Sequence, residues 1–254
     1  MFPAPRRFGK PLHRYDALES TNDKALELLE SGAAEGTLVL AEEQTRGRGR
    51  RDRFWHSPAG VSLYASLILR PPLPASLLPL VSLTAATGAA RALAEWGQLP
   101  GVAIKWPNDL LFRGRKLGGI LAEARGEAGA AALVVGIGMN VNLVEFPAEM
   151  EGEATSLRLS GGHVWDREAL LGAILAFWEA DYDRLLSSGP ATLLEAMLER
   201  SAHPPGSPLQ IDLGDEILSG TFAGYGSSGE LLLQEADGSV RPLHFGEIRR
   251  MRMP

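Results

Sequence analysis

A chain of 254 residues exceeds the usual size of one domain, and with 45% hydrophobic and 22% charged residues it has the composition of a globular protein able to bury a core. Its 25 Lys plus Arg against 31 Asp plus Glu give a net charge of -6, which opposes whole-molecule attraction to nucleic acid or anionic membrane and makes any basic function local. The absence of cysteine excludes a disulfide framework, a thiolate nucleophile and a Cys-based zinc site, and the five histidines are scattered.

Met1 to Lys10 carries charge with no apolar run behind it, and no later segment reads as about 18 uncharged apolar residues, so a cytoplasmic protein with no membrane partner is expected. Ser20 and Thr21 precede Ala25, Leu26, Leu28 and Leu29, with Gly32 after them, which predicts a capped helix. Thr37 to Ala41 and Val61 to Leu69 read as strands. Between them, Arg46 to Arg53 packs five arginines into eight positions with interspersed glycines. That composition suits an anion, because glycine lets backbone N–H groups come close to a ligand. A solvated basic loop or a nucleic-acid patch fits the segment alone equally well.

Ser76 to Trp96 has apolar and small residues at helical spacing and predicts a buried helix. Val102 to Trp106, Lys116 to Ala124 and Ala131 to Asn142 read as strands, the last two joined by a turn around Gly126 and Gly129. Lys105-Trp106-Pro107-Asn108-Asp109 then stands at a strand exit, with Asp109 a candidate Mg²⁺ ligand. In Arg115-Lys116-Leu117-Gly118-Gly119-Ile120-Leu121 the paired glycines mark either a close approach or a bulge. Asn140 and Asn142 would point the same way if their strand continues. Asp166 caps a long helix through Leu170, Trp178 and Leu185, and Pro190 to Arg200 forms a shorter one. From His203 the pattern turns to short alternating runs, Leu209–Leu213, Gly220–Tyr225, Leu231–Gln234 and Val240–Phe245, which predict a small β-barrel of roughly 50 residues. The division expected is therefore 1–202 for a catalytic domain and 203–254 for a C-terminal one. P-loop, α/β-hydrolase and His-based metal signatures are missing.

Ser20-Thr21-Asn22, Gly47-Arg48-Gly49-Arg50-Arg51, Lys105 to Asp109, Arg115 to Leu121 and Gly136-Ile137-Gly138-Met139-Asn140, taken in this order, resemble the biotin protein ligase family over roughly residues 12 to 250. The resemblance implies an α+β fold: a mixed β-sheet flanked by helices, related to class II aminoacyl-tRNA synthetases, with an SH3-like C-terminal β-barrel. With only Met1 to Tyr15 ahead of the matched region, it implies the monofunctional class that lacks an N-terminal DNA-binding domain, and so no DNA partner. It implies ATP and Mg²⁺ as cofactors, biotin as substrate and a biotin carboxyl carrier protein as acceptor.

By the same resemblance Ser20, Thr21, Asn22, Gln44, Gly47, Arg48, Gly49, Arg50, Lys116 and Gly119 would bind biotin. Arg53, Trp55, Asn108, Lys116 and Asn140 would bind ATP, and Lys116, Arg50 and Asp109 would carry the catalysis. Asp52 replaces a glycine frequent in the family's loop and either tethers the empty loop or forms an exposed ion pair worth little. A lipoate or octanoate ligase of the same superfamily is the nearest alternative and a non-catalytic nucleic-acid binder the more distant one. Exposed sheet edges lead us to expect a homodimer.

Overall fold

The structure is a computed structural model that describes residues 4–126 and 131–249, the side chain of Asp52 excepted. A seven-stranded sheet forms the larger part, in the order β1-β2-β3-β7-β6-β5-β4. Its strands are β1 (Leu12–Leu18), β2 (Leu38–Gln44), β3 (Leu63–Leu69), β4 (Val102–Lys105), β5 (Asp109–Phe112), β6 (Arg115–Arg125) and β7 (Ala132–Met139). Only β1 and β2 run parallel; the remaining neighbours are antiparallel, so the sheet is mixed.

Helices cover both faces. Helix α1 (Thr21–Glu30) starts where the Ser20 side chain accepts from the Asp23 backbone N–H, and it lays Ala25, Leu26 and Leu29 against Val39, Ile68 and Val134. On the opposite face α2 (Pro79–Arg91), α4 (Arg167–Ser188) and α5 (Ala191–Glu199) bury the alternate residues, Leu38, Leu40, Leu67, Leu69, Val135 and Ile137 among them. Helix α3 (Leu157–Gly161) follows β7. A strand shielded on both sides loses the polar half of its alternation, which explains why every residue of β3 is buried.

Because side chains alternate along a strand, register decides which residues share a face. Ser66 and Ile68 of β3 point toward α1. Across β7 their partners are Gly136 and Val134, and across β6 Gly138 faces Gly119, Gly136 faces Leu121 and Val134 faces Glu123. Near α1 this face carries bulk. Beyond its N-terminus, three glycines leave a bare strip.

Two strands were not expected. β1 alternates charged and apolar residues in an edge position that buries little, so its apolar signal is weak. Lys105 does end β4 as expected, and β5 shows in addition that this exit is a hairpin connection, with Lys105 paired to Asp109 in register. The strand through Ala131 to Asn142 ends at Met139, so Asn140 and Asn142 do not share a strand face. The Gly126 to Gly129 turn lies largely outside the described residues. The segment Ala75–Trp96 is, by length and mean hydropathy of 1.4, apolar enough to cross a membrane, which the sequence reading understated. It is largely buried against α4 and widens into a π-helical turn at Ala92–Trp96, and its burial is that of a core helix.

A second, five-stranded antiparallel sheet follows in the order β11-β10-β9-β8-β12. It comprises β8 (Pro208–Asp212), β9 (Ile217–Tyr225), β10 (Leu231–Gln234), β11 (Val240–Leu243) and β12 (Glu247–Ile248). Trp106, from the β4–β5 connection, is inserted into its core beside Phe222 and Leu233 and donates its indole N–H to the Gly229 carbonyl at 3.1 Å. Ser201 and Ala202 run along the outer edge of β4, where Ala202 N–H donates to Ile104 O at 2.9 Å.

The tightest helix contact is between α2 and α4. A Cβ on Gly88 would lie 2.5 Å from the Trp178 Cα, backbone that cannot turn aside. Gly88→Ala is therefore expected to destabilise the protein by about 1–3 kcal/mol, the usual cost of overpacking a core. Chemical denaturation measures it; an unchanged midpoint would show that the two helices can separate freely.

Candidate functional site

The bare strip is the floor of a cavity that gathers the sequence motifs. On the α1 side, Ser20, Thr21 and Asn22 form the wall at the helix N-terminus, where the Thr21 and Asp23 backbone N–H groups are already taken by the Gln44 and Ser20 side chains. Their side chains are held by a buried network. Gln44 Oε1 accepts from Thr21 N–H at 2.8 Å and from its hydroxyl at 3.1 Å. Ser66 Oγ lies 2.8 Å from Thr21 Oγ1 and 2.6 Å from Asn22 Oδ1, and Gln44 Nε2 donates to Ser57 at 3.0 Å. A Cβ on Gly136 would sit 2.1 Å from Asn22 Oδ1, so that amide exists in its place only because residue 136 is glycine.

The arginine segment closes over the strip as a turn. Trp55 N–H donates to Gly47 O at 2.8 Å, and Gly49 N–H to Arg53 O at 2.7 Å. Gly47 is required for packing: a Cβ there would meet Ser57 Oγ and Trp55 O at 2.5 Å. It lies outside the cavity lining, whereas Arg48, Gly49, Arg50, Arg53 and Trp55 line it. The Trp55 ring rests on the strip, with a Gly138 Cβ position only 2.7 Å away. The Lys116 ammonium stands 5.4 Å from the ring centroid and 2.7 Å from Asp109 Oδ1. Asn108, Asp109, Lys116 and Gly119 also line the cavity; Asn108 gives its side-chain amide to Ile120 O at 2.9 Å.

Asn140 is placed elsewhere. Its side chain is buried and donates to Thr155 O at 3.1 Å, so it does not face the cavity where a nucleotide contact was expected. It steadies Lys116 indirectly, because Thr155 N–H donates to Lys116 O at 2.8 Å. Asn142 likewise exchanges hydrogen bonds with the Trp165 backbone, at 2.9 Å each. Asp52, the expected tether, has its side chain outside the described residues.

Other residues supply the tether, and these the sequence reading missed. Arg53 makes a two-pronged ion pair with Glu247 at 2.6 and 2.7 Å. Arg51, at a left-handed φ of 55°, donates to Asp212 O at 3.0 Å, and Arg50 to Gly246 O at 3.4 Å. Glu247 and Asp212 belong to the second sheet and Gly246 to the connection just before β12, so this part of the chain becomes a wall of the site. Burial, with Arg51 adding to it, lowers the Arg50 pKa from its ordinary value, yet a guanidinium stays charged at neutral pH. The Arg249 hydrogen bond holds the Asp212 carboxyl below its usual range. No local motif marks a partner some 190 positions away in sequence, as Arg53 and Glu247 are.

Two donors in this region are buried with no partner: Arg48 Nε and Trp55 Nε1. Unpaired buried N–H groups are costly, and sites that bind hydrogen-bonding ligands are where they are tolerated.

The biotin/lipoate A/B protein ligase family model matches residues 15–140. The bifunctional ligase/repressor BirA of Bacillus subtilis is 36% identical over 243 residues, which are 94% of this chain and 74% of that protein. A biotin--[acetyl-CoA-carboxylase] ligase of Paracoccus denitrificans is 38% identical over 224 residues, 85% of this chain and 91% of that one. This chain belongs to the biotin protein ligase family. The structure of the Aquifex aeolicus ligase in complex with biotin and ATP superposes with a TM-score of 0.81 at 29% identity, covering 94% of this chain and 98% of that one. The expected mixed sheet flanked by helices is thus the ligase fold.

Because Arg53 is largely exposed, its pair with Glu247 contributes at most about 1 kcal/mol. Glu247→Gln should accordingly raise the rate of tryptic cleavage within the arginine segment of the ligand-free ligase by about two- to fivefold. An unchanged cleavage rate would mean that the second sheet does not hold the loop.

Proposed function

We propose that this ligase condenses the biotin carboxylate with the α-phosphate of ATP and then passes the biotinyl group to a lysine of a biotin carboxyl carrier protein. The observation that carries the reading is the meeting of the glycine strip, the arginine turn and the Lys116 ammonium in one cavity. In the first step a carboxylate oxygen attacks the α-phosphorus and pyrophosphate leaves. Two anions must approach, so cations aimed at the developing charge and exact placement supply most of the rate.

Within this scheme the polar wall of Ser20, Thr21, Asn22, Gln44 and Arg48, with backbone groups near Gly49 and Gly119, takes the ureido end of biotin. Arg50 and Lys116 meet the carboxylate and α-phosphate. Arg53, Trp55 and Asn108 face the nucleotide, and phosphate oxygens would compete with Glu247 for the arginines. Gly47 and Asn140 act from outside the cavity by shaping the turn and steadying Lys116.

Among the described residues no group of three His, Asp or Glu side chains could hold a metal by itself. Of the two carboxylates that line the cavity, Glu247 is held by Arg53, and Asp109 is the one that would suit Mg²⁺, which commonly takes one or two protein carboxylates and otherwise keeps waters and phosphates. When bound, Mg²⁺ would neutralise charge on the triphosphate. In the second step the carrier amine attacks the acyl carbon and AMP leaves. In this reading Asp109, paired with Lys116 at 2.7 Å, takes a proton from that amine once Lys116 releases it. The turn over the strip keeps water from the mixed anhydride.

The alternatives draw no support from the geometry. A nucleic-acid binder would keep Arg50, Arg51 and Arg53 on an open basic face, whereas here they are folded onto the second sheet. Lys116→Ala should slow biotin-dependent pyrophosphate release by at least about 10²-fold, the scale for one aimed donor. Near-normal release, with biotinyl-adenylate read by mass spectrometry, would remove Lys116 from its role. The homodimer is proposed to form at β1, a terminal strand of the main sheet, since β4 at the other end is partly covered by Ser201 and Ala202. A monomer in sedimentation equilibrium with and without biotin would overturn it.

A further inference from the structure

Arg48 behaves differently from the other arginines of its turn. Where Arg50, Arg51 and Arg53 reach the second sheet, Arg48 points back to two carboxylates of the catalytic sheet side. Its Nη2 donates to Asp23 Oδ1 at 2.5 Å and to Glu123 at 2.9 Å (Oε2) and 3.2 Å (Oε1). Glu123 Oε2 also accepts from Asn22 Nδ2 at 2.8 Å. One carboxylate on β6 therefore ties the start of α1 to the arginine turn. The Glu123 side chain is 20% exposed and that of Asp23 45%, so Glu123 is the less screened of the two and the firmer restraint.

A guanidinium is a rigid plane whose five N–H donors point in fixed directions. Holding Nη2 from two sides consequently fixes where Nε–H points, and Nε is the buried atom left with no partner. Arg48 and Asn22 line the cavity; Glu123 does not. We propose that Glu123 is a positioning residue for biotin recognition: without touching the ligand, it sets the Arg48 plane and the Asn22 amide so that the unpaired Nε–H meets a carbonyl acceptor of a neutral, hydrogen-bonding ring. The inference rests on the biotin ligase reading and adds to it a residue that acts through two others. Its electrostatic logic is that an arginine neutralised by carboxylates suits an uncharged ring, whereas Arg50 and Lys116 serve the charged end of the same ligand.

The role is separable from plain ion-pair stabilisation. A structural contribution alone would lower the melting temperature and leave biotin affinity unchanged in the folded protein. A positioning role acts on biotin and spares the rest of the reaction. Isothermal titration of the full-length protein with biotin comes first: binding by the wild-type chain tests the underlying reading, and its absence would overturn that reading and this inference with it. Given wild-type binding, Glu123→Ala should raise the biotin Kd by about 10- to 100-fold, the scale of a small misplacement in a preorganised site. Glu123→Gln, which keeps an acceptor and the shape, should fall between the two and remains informative if the alanine variant does not fold. The KM for ATP should stay within about twofold and kcat at saturating biotin within about threefold, and in an Arg48→Ala background the further loss from Glu123→Ala should be smaller than in the wild type, because the two act as one unit. A biotin Kd within about twofold of wild type in folded Glu123→Ala, or an undiminished loss in the Arg48→Ala background, would overturn the proposal.

Discussion

Three missing side chains determine where the rest of the site can go. Gly119 and Gly138 face one another across β6 and β7, and Gly136 lies two residues along the same face. With Cβ atoms at 136 and 138, Asn22 and the Trp55 indole would have to leave their places. The strip is kept flat and rigid from behind, where Ile120 and Ile137 are packed into the core under the helices. Glycine in a strand interior normally weakens it, and here the cost is offset by a sheet that is paired on both sides and covered on the reverse face. A small helical shift would therefore be felt at the floor, which connects the close Gly88 contact to the chemistry on the other side of the sheet.

The second constraint is charge. A protein of net charge -6 nevertheless gathers Arg48, Arg50, Arg51, Arg53 and Lys116 in one region. The structure handles this by giving most of these cations an internal anion. Lys116 has Asp109, Arg48 has Asp23 and Glu123, and Arg53 has Glu247. The pairs differ in exposure, and so in how readily they exchange. Arg53 is 64% exposed, and Lys116 at 35% and Arg48 at 34% are about half as open. The difference lies in the arginines more than in their partners, since Glu247 is 31% exposed and Glu123 20%. The arrangement thus leaves Arg53 open to solvent on one carboxylate and holds Arg48, half as open, between two.

How much of this was legible in the sequence follows from the range over which each signal acts. The capped helix at Ser20, the long helix from Asp166 and the central strands are local patterns, and the structure has them. β1 escaped because an edge strand with alternating charge has no apolar stripe to read, and β5 because its four residues look like the tail of a loop. Within the site, residues carried by contiguous motifs converge on the cavity, with Gly47 and Asn140 displaced to its supports. Glu123 was within reach: it follows Gly119 and Leu121 at strand period on the same face, and period-two counting from the glycines arrives at it. Glu247 and Asp212 were not, since only the docking of the second sheet brings them near the arginine turn.

That docking has a peg, and the peg clarifies the hairpin motif. Trp106 lines the cavity along with Lys105 and Asn108, yet it is 3% exposed, with its ring packed in the core of the other sheet. The same short connection that presents Asn108 and Asp109 to the cavity therefore fixes the distance between the two sheets. Moving the second sheet away would withdraw Glu247 from Arg53 and drag the Asp109 hairpin with it, so the arginine turn and the Lys116–Asp109 pair cannot be rearranged independently. A wall that supplies counter-charge to the turn is thus anchored through the same hairpin that carries Asp109, the partner of Lys116.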